Sequence, residues 1–275
     1  MSSFRFPSVF LSHGTPMLAY GDDPYQKMLA DFAASLPKPK AIVFISAHSV
    51  SSNMIHVLKN RENWIQHDFT GFPKDLYDIQ YRCPGDEELA NQVAERFLQA
   101  GFETTFDHDA PLDHGIWIPL LHLYPKGDVP VVRVSLPVQI GDDSKLAGQT
   151  LKMGHALASL REQGVMIIAS GGAVHNLRHL KWAQKNSAGQ GWAREFEDFL
   201  IAVLANKDVE TLIGASEHPE FSKAHPSFEH FLPLVFSVGA ALTGDEVKIL
   251  YRGIEYDSLS MLCFSLNHEQ NQALH

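Results

Sequence analysis

Three times along the chain an apolar run reaches a serine and delivers a histidine just beyond it. "VFLSHGTPM" carries His13, "IVFISAHS" carries His48 and "MIIASGGAVHNL" carries His175. A lone histidine in such a place is ordinarily a capping or hydrogen-bonding group. His13 and His48, after two serine-bearing run ends of the same kind, point instead to a shared ion. Neutral imidazole is the commonest metal ligand, and two of them leave a divalent ion with open positions. Two further segments bring polar donors. "PLDHGIWIPLLHLYP" holds His114 before a glycine and an aromatic, and "AHPSFEHFLPLVF" holds His225, Glu229 and His230. On a helix the side chains of Glu229 and His230 would diverge by about 100°, so both would not bind one ion directly. His122 reads as packed or helical surface. His56, His108, His155, His268 and His275 fall in no pattern that suggests chemistry.

Competing signatures are missing. GxSxG is absent, "SGGAVHN" has neither the GxGxxG spacing nor the Lys-Ser/Thr of a phosphate loop, and "HEQNQ" lacks the second histidine of HExxH.

The elements that must position these histidines are legible as alternation. Residues 8–11, 41–46, 129–136 and 165–169 are short runs rich in Val and Ile and apolar on both faces, the pattern of strands covered by helices on both sides. "GDEELANQVAERFLQAG" predicts a helix with Leu89, Val93 and Phe97 inward, Asp86 as N-cap and Gly101 as its stop. "SKLAGQTLKMGHALASLREQG" predicts another, from Ser144 to Gly164 with Leu146, Leu157 and Leu160 inward. A third covers about 192–204, with Phe196, Phe199, Leu200 and Val203 inward. The tail "EVKILYRGIEYDSLSMLCFSL" predicts two strands across a turn, antiparallel and at an edge. Residues 60–84 and 216–227 are loop-like, and loops of that length in a compact domain are usually functional or lid-like. The expected fold is α/β: one catalytic domain over 1–275, with a mostly parallel or mixed central sheet flanked by helices on both faces. Such sheets bind ligands beyond the carboxyl ends of their strands, where His13, His48 and His175 all emerge. Gly14, Gly171 and Gly172 then allow sharp turns or close backbone approach.

Composition excludes several classes. The chain has 275 residues, 45% hydrophobic and 20% charged, with a net charge of −10 and a pI near 5.8. That balance argues against a nucleic-acid partner, which would need clustered Lys and Arg. Cys83 and Cys263 are far apart with no CxxC, which argues against a disulfide framework and fits a reducing compartment. The N-terminus lacks the apolar core of a signal peptide, and no stretch approaches the ~18 apolar residues of a membrane span. A soluble, cytoplasmic protein is expected, with no membrane partner and with homo-oligomerisation left open.

Taken in order, "LSHGTPM", "ISAHS", "HDFTGFPKDLYDIQYRCPG", "LDHGIWIPLLHLYP", "ASGGAVHNL" and "HPSFEHFLPL" resemble the class III extradiol ring-cleaving dioxygenases, most closely the 4,5-DOPA dioxygenase-like branch. The resemblance runs from about residue 5 to residue 265. It implies an α/β fold and a mononuclear non-haem metal. His13 and His48 match the first two metal ligands and His230 the third, with Glu229 as the alternative because the broader class uses a glutamate. His175 matches a residue read either as catalytic acid/base or as a further ligand when zinc occupies the site. His114 matches an active-site histidine that contacts substrate. One departure is visible: Ser49 follows His48 where the branch commonly has tryptophan, which should alter the pocket, and Trp64 or Trp117 could replace that ring.

The implied reaction is cleavage of a small aromatic diol by O2 to a ring-opened semialdehyde, with Fe(II) for activity and Zn(II) able to occupy the site as isolated. His175 is assigned the proton transfers and His114 the role of orienting donor. Phe69, Phe72, Tyr77 and Trp117 are candidate apolar walls, Phe72 and Trp117 with His114 being the expected substrate contacts. The rival readings are a zinc hydrolase on the same scaffold, a non-catalytic metal-binding module, and a nucleotide-dependent enzyme using the "SGG" turn.

Overall fold

The computed structural model describes residues 4–138 and 143–268. Eight strands form one mixed sheet: β1 (Ser8–Ser12), β2 (Ala41–Ser51), β3 (Ile55–Leu58), β4 (Thr104–Asp107), β5 (Val131–Pro137), β6 (Val165–Gly171), β7 (Asp245–Tyr251) and β8 (Cys263–His268). Their spatial order is β4-β3-β5-β2-β6-β1-β8-β7. The central four, β5-β2-β6-β1, are parallel, and β8 joins β1 antiparallel. On the other side β3 opposes β5, and β4 runs parallel to β3. The helices are α1 (Pro24–Ala34), α2 (Glu87–Gln99), α3 (His114–Leu123), α4 (Asp143–Leu157), α5 (Gly191–Ala205), α6 (Val209–Ile213), α7 (Phe221–Ala224) and α8 (Leu232–Gly239).

The apolar character of the central strands on both faces has its cause here. In β2, Ile42 and Phe44 pack with Tyr25 and Leu29 of α1 and Ile116 of α3 on one face. Val43 and Ile45 point the other way, onto α2, α4 and α8 through Val93, Met153 and Phe236. α2 begins where expected, with the Asp86 carboxylate accepting from Leu89 N–H at 2.9 Å. α4 ends in a 3₁₀ turn that stops at Gly164, whose φ is +92°. α4 and α8 cross closely. A Cβ on Gly154 would lie 2.3 Å from the Phe236 carbonyl oxygen, and one on Gly239 would lie 2.1 Å from that of Leu151.

Several expectations need correction. The tail strands are antiparallel neighbours, but only β7 is an edge; β8 lies between it and β1. They are joined not by a plain turn but by residues 252–262, which fold into a small ribbon pairing Ile254–Glu255 with Leu259–Ser260. β3 and β4, each four residues long, were not expected. Phe199 of α5 is only partly buried, while Phe196, Leu200 and Val203 are in the core. The two loops are anchored: Glu62–Asn63 pairs with Cys83–Pro84, and 216–227 contains α7. His275 lies outside the described residues.

Candidate metal centre

The carboxyl ends of β1, β2 and β6 meet at one rim of the sheet, and the histidines gather there. His13 follows β1 directly, and its N–H donates to the Gly171 carbonyl at the end of β6. Gly14 turns the chain away at φ +60°. His48 sits inside β2 rather than beyond it. The pairing of β2 with β5 is interrupted between Ile45 and Val50, and His48 occupies that irregularity, aimed at the rim. β-Bulges of this kind re-aim side chains at functional sites. His175 follows β6, with its N–H donating to the Ala224 carbonyl. His230 precedes α8 in a turn, so the helical argument that it must diverge from Glu229 does not apply. Its carbonyl accepts from Gly172 N–H, and a Cβ on Gly171 would lie 2.4 Å from that same oxygen. Glycine is required where the two segments touch.

Ring separations define the constellation. His13 and His48 place their Nε2 atoms 3.1 Å apart. Their ring centroids are 4.9 Å apart, and that of His230 lies 5.4 Å from His13 and 5.0 Å from His48. One nitrogen from each of the three lies within 4.8 Å of the others, a spacing at which they could hold one ion. His48, Asp68 and His114 form a second group at similar spacing. Asp68 is already engaged there: it accepts from His114 N–H at 2.9 Å and pairs with His114 Nδ1 at 3.0 Å. His175 is stacked face to face on His230, centroids 3.6 Å apart and planes within 5°.

The other ring nitrogens are tied back. His13 Nδ1 meets Ser170 Oγ at 2.8 Å, and His230 Nδ1 meets Glu229 Oε1 at 3.0 Å. His230 Nε2 is buried with no hydrogen-bond partner among the described residues. A polar atom left bare in a protein interior is costly, and a metal-ligating imidazole characteristically gives its second nitrogen to a carboxylate or hydroxyl. The donor set therefore fits a divalent ion. Burial, reinforced by the neighbouring rings, holds His13 and His230 far below the usual imidazole range. Burial lowers His48 too, followed by the charge of His114 and against Asp113, Asp68 and Glu229. His175 is pushed down to about 3, chiefly by burial. The rings are neutral at ordinary pH, as ligation requires. Burial would raise the Asp68 carboxyl, but its bonds to His114 outweigh that and hold it below the usual range.

The histidines line the floor of a cavity of about 550 Å³, which also contains Phe69, Phe72, Asp68 and Glu229. Trp117 is not among the lining residues. It is fully buried, its indole N–H donating to the Gln66 carbonyl at 3.1 Å, and it lies behind Phe69. Tyr77 is likewise behind Phe69. Neither Trp64 nor Trp117 replaces the ring missing after His48; Trp182, which carried no signal in the sequence, lines the cavity instead. Ser49 bonds to the Asp113 carboxylate at 2.5 Å, and Ser46 bonds to its other oxygen at 2.6 Å. Asp113 and Asp68 were not singled out, although "LDHG" and "HDFTGF" contain them. His225 Nε2 bonds the Ala173 carbonyl at 3.0 Å among phenylalanines, and His122 Nε2 bonds that of Leu18 at 2.7 Å, so both are structural.

A family model described as the catalytic LigB subunit of aromatic ring-opening dioxygenase matches residues 7–262. The chain is 38% identical over 266 residues to the 4,5-DOPA dioxygenase extradiol of Escherichia coli (strain K12), covering 95% of each. It is 36% identical over 252 residues to that of Beta vulgaris, covering 88% of this chain and 89% of that one. A crystal structure of an uncharacterized Escherichia coli K12 protein matches with a TM-score of 0.80 at 33% identity, covering 96% of this chain and 100% of that one. A match that spans nearly the whole fold, over a rim of converging histidines, has one reading: the chain belongs to the class III extradiol dioxygenases, enzymes of aromatic ring opening.

Proposed function

We propose that the chain acts as one catalytic domain on a catechol-type aromatic diol and O2, giving a ring-opened semialdehyde. His13, His48 and His230 hold the metal, Fe(II) for activity, with Zn(II) able to take the same donors. The convergence of those three rings on the cavity floor carries the reading. Bound there, Fe(II) would supply the electronic path between the electron-rich ring and O2.

The remaining work falls to the side chains. His175, neutral and stacked beside the floor, takes a proton from a diol hydroxyl and returns one during ring opening. Groups of this kind typically contribute ~10²–10⁴ in rate. His114 pairs through Nδ1 with Asp68, which fixes its ring in the cavity wall, and it orients a diol hydroxyl through Nε2. Phe69 and Phe72 hold the ring; Trp117 supports Phe69 from behind and is not a substrate contact. Glu229 acts through His230 Nδ1 rather than on the metal.

Anaerobic reconstitution with Fe(II), followed by air and a panel of catechols, tests this. Coupled O2 uptake and a yellow ring-opened product are expected. Ester hydrolysis by the zinc form, with no catechol opened by the iron form, would favour a hydrolase.

A further inference from the structure

Of the three ligands on the cavity floor, His48 alone comes from within a strand, and β2 gives up part of its ladder to present it. Its pairing with β6 runs only to Ser46, and its pairing with β5 is interrupted between Ile45 and Val50. Backbone released from a ladder needs other bonds to keep one conformation. One carboxylate supplies them. Asp113 is buried and stands at the N-cap of α3, where an aspartate ordinarily accepts from the first turn of its own helix. Its side chain makes no such bond. It reaches across to β2 instead: Ser46 Oγ donates to Oδ1 at 2.6 Å and Ser49 Oγ donates to Oδ2 at 2.5 Å. Ser46 Oγ also accepts from His48 N–H at 3.1 Å. The carboxylate therefore holds the residue two before His48 with one oxygen and the residue after it with the other. α3 starts tight against this pair. A Cβ on Gly115 would lie 2.6 Å from Ser46 Oγ and 3.1 Å from Asp113 Oδ1, so glycine there lets the carboxylate approach.

We infer that Asp113 is the positioning residue of His48: by clamping Ser46 and Ser49 it fixes the break in β2, and so the direction from which the His48 ring meets an ion shared with His13 and His230. Hydroxyl bonds to a carboxylate are shorter and stronger than those between neutral groups, which suits a rigid clamp. Asp113 is not among the residues lining the cavity, so its effect passes through His48 and not through contact with a substrate. The inference rests on His48 being a metal ligand.

Zn(II) alone is the probe, its dissociation constant read by chelator competition on the metal-free protein. Asp113→Asn keeps the shape but loses an acceptor, and should weaken Zn(II) binding about 10- to 100-fold, the range for a lost support behind a ligand. Ser49→Ala, which gives up one bond, should weaken it by a smaller factor. In a His48→Ala background, read at higher Zn(II), Asp113→Asn should cost less than about twofold, because the group it positions is gone. Melts of the metal-free proteins report stability separately. An Asp113→Asn protein that melts lower but binds Zn(II) like wild type has lost only packing and overturns the inference. An equal loss in both backgrounds also overturns it. Should Asp113→Asn fail to fold, Ser49→Ala decides by the same comparison. A wild type that takes up no Zn(II), or a His48→Ala protein that binds it as tightly as wild type, would refute the ligand reading itself.

Discussion

At the scale of residues, the site divides into nitrogens that face the cavity and nitrogens that are tied behind it. His13 and His230 each spend one ring atom on a hydroxyl or carboxylate and leave the other for the rim. His175 has no place among the three close nitrogens and instead lies flat on His230. The expected consequence is a split between binding and turnover. His13→Ala and His48→Ala should each abolish retention of metal through dialysis. His175→Ala should keep most of the metal and lose turnover by ~10²–10⁴. Metal analysis beside kcat decides, and full activity in either of the first two would refute the ligand set. The histidines were legible because each follows an apolar run or opens a helix. Asp68 and Trp182 were not, because their place depends on how residues 60–84 and the stretch after β6 fold back over the rim, which no local period encodes.

At the scale of elements, positioning comes from backbone approach. α8 lies immediately after His230, and it is set by its crossing with α4 at Gly154 and Gly239. Gly154→Ala places a methyl against the Phe236 carbonyl, so a loss of about 1–3 kcal/mol is expected, the range for overpacking. Denaturant unfolding should show a lower midpoint with an unchanged slope. The central strands and α2, α4 and α5 could be read from periodicity, because strands buried on both faces are apolar throughout and helices show one apolar stripe. β3 and β4 could not. They are short, and the outer one, β4, shows only partly buried or exposed residues, so neither carries a clear pattern. The irregularity in β2 was also hidden, since it depends on the partner strand β5.

At the scale of the molecule, the rim opposite the histidines is closed by one guanidinium. Arg161, fully buried, donates to the carbonyls of Phe6, Ala240 and Leu266 at 2.7–2.8 Å and to the Asp245 carboxylate at 2.5 Å. It joins the approach to β1, the end of α8, the edge strand β7 and its neighbour β8. Arg161→Met would strand a buried carboxylate, and a loss of about 3–5 kcal/mol is expected, read by chemical denaturation. A second effect concerns pH. Glu255, beside Lys185 and Asp23, is pushed up to about 7, mainly by burial. A group whose folded pKa is raised favours folding while protonated. That contribution is complete below its unfolded value of 4.5 and is lost as pH rises towards 7. Screened by solvent, the effect should be about 1 kcal/mol. Glu255→Gln should therefore stabilise the protein at pH 8 and change little at pH 4, as melts at the two pH values would show.

The three rings at the cavity floor come from residues 13, 48 and 230, so the circle closes only when nearly all of the chain has been placed. No fragment short of that can offer a complete grip. An ion held there is consequently a reporter of global folding, released as the whole architecture opens. Each tenfold excess of free ion over its dissociation constant would deepen the native basin by about 1.4 kcal/mol, coupling the protein's lifetime to the supply of metal around it.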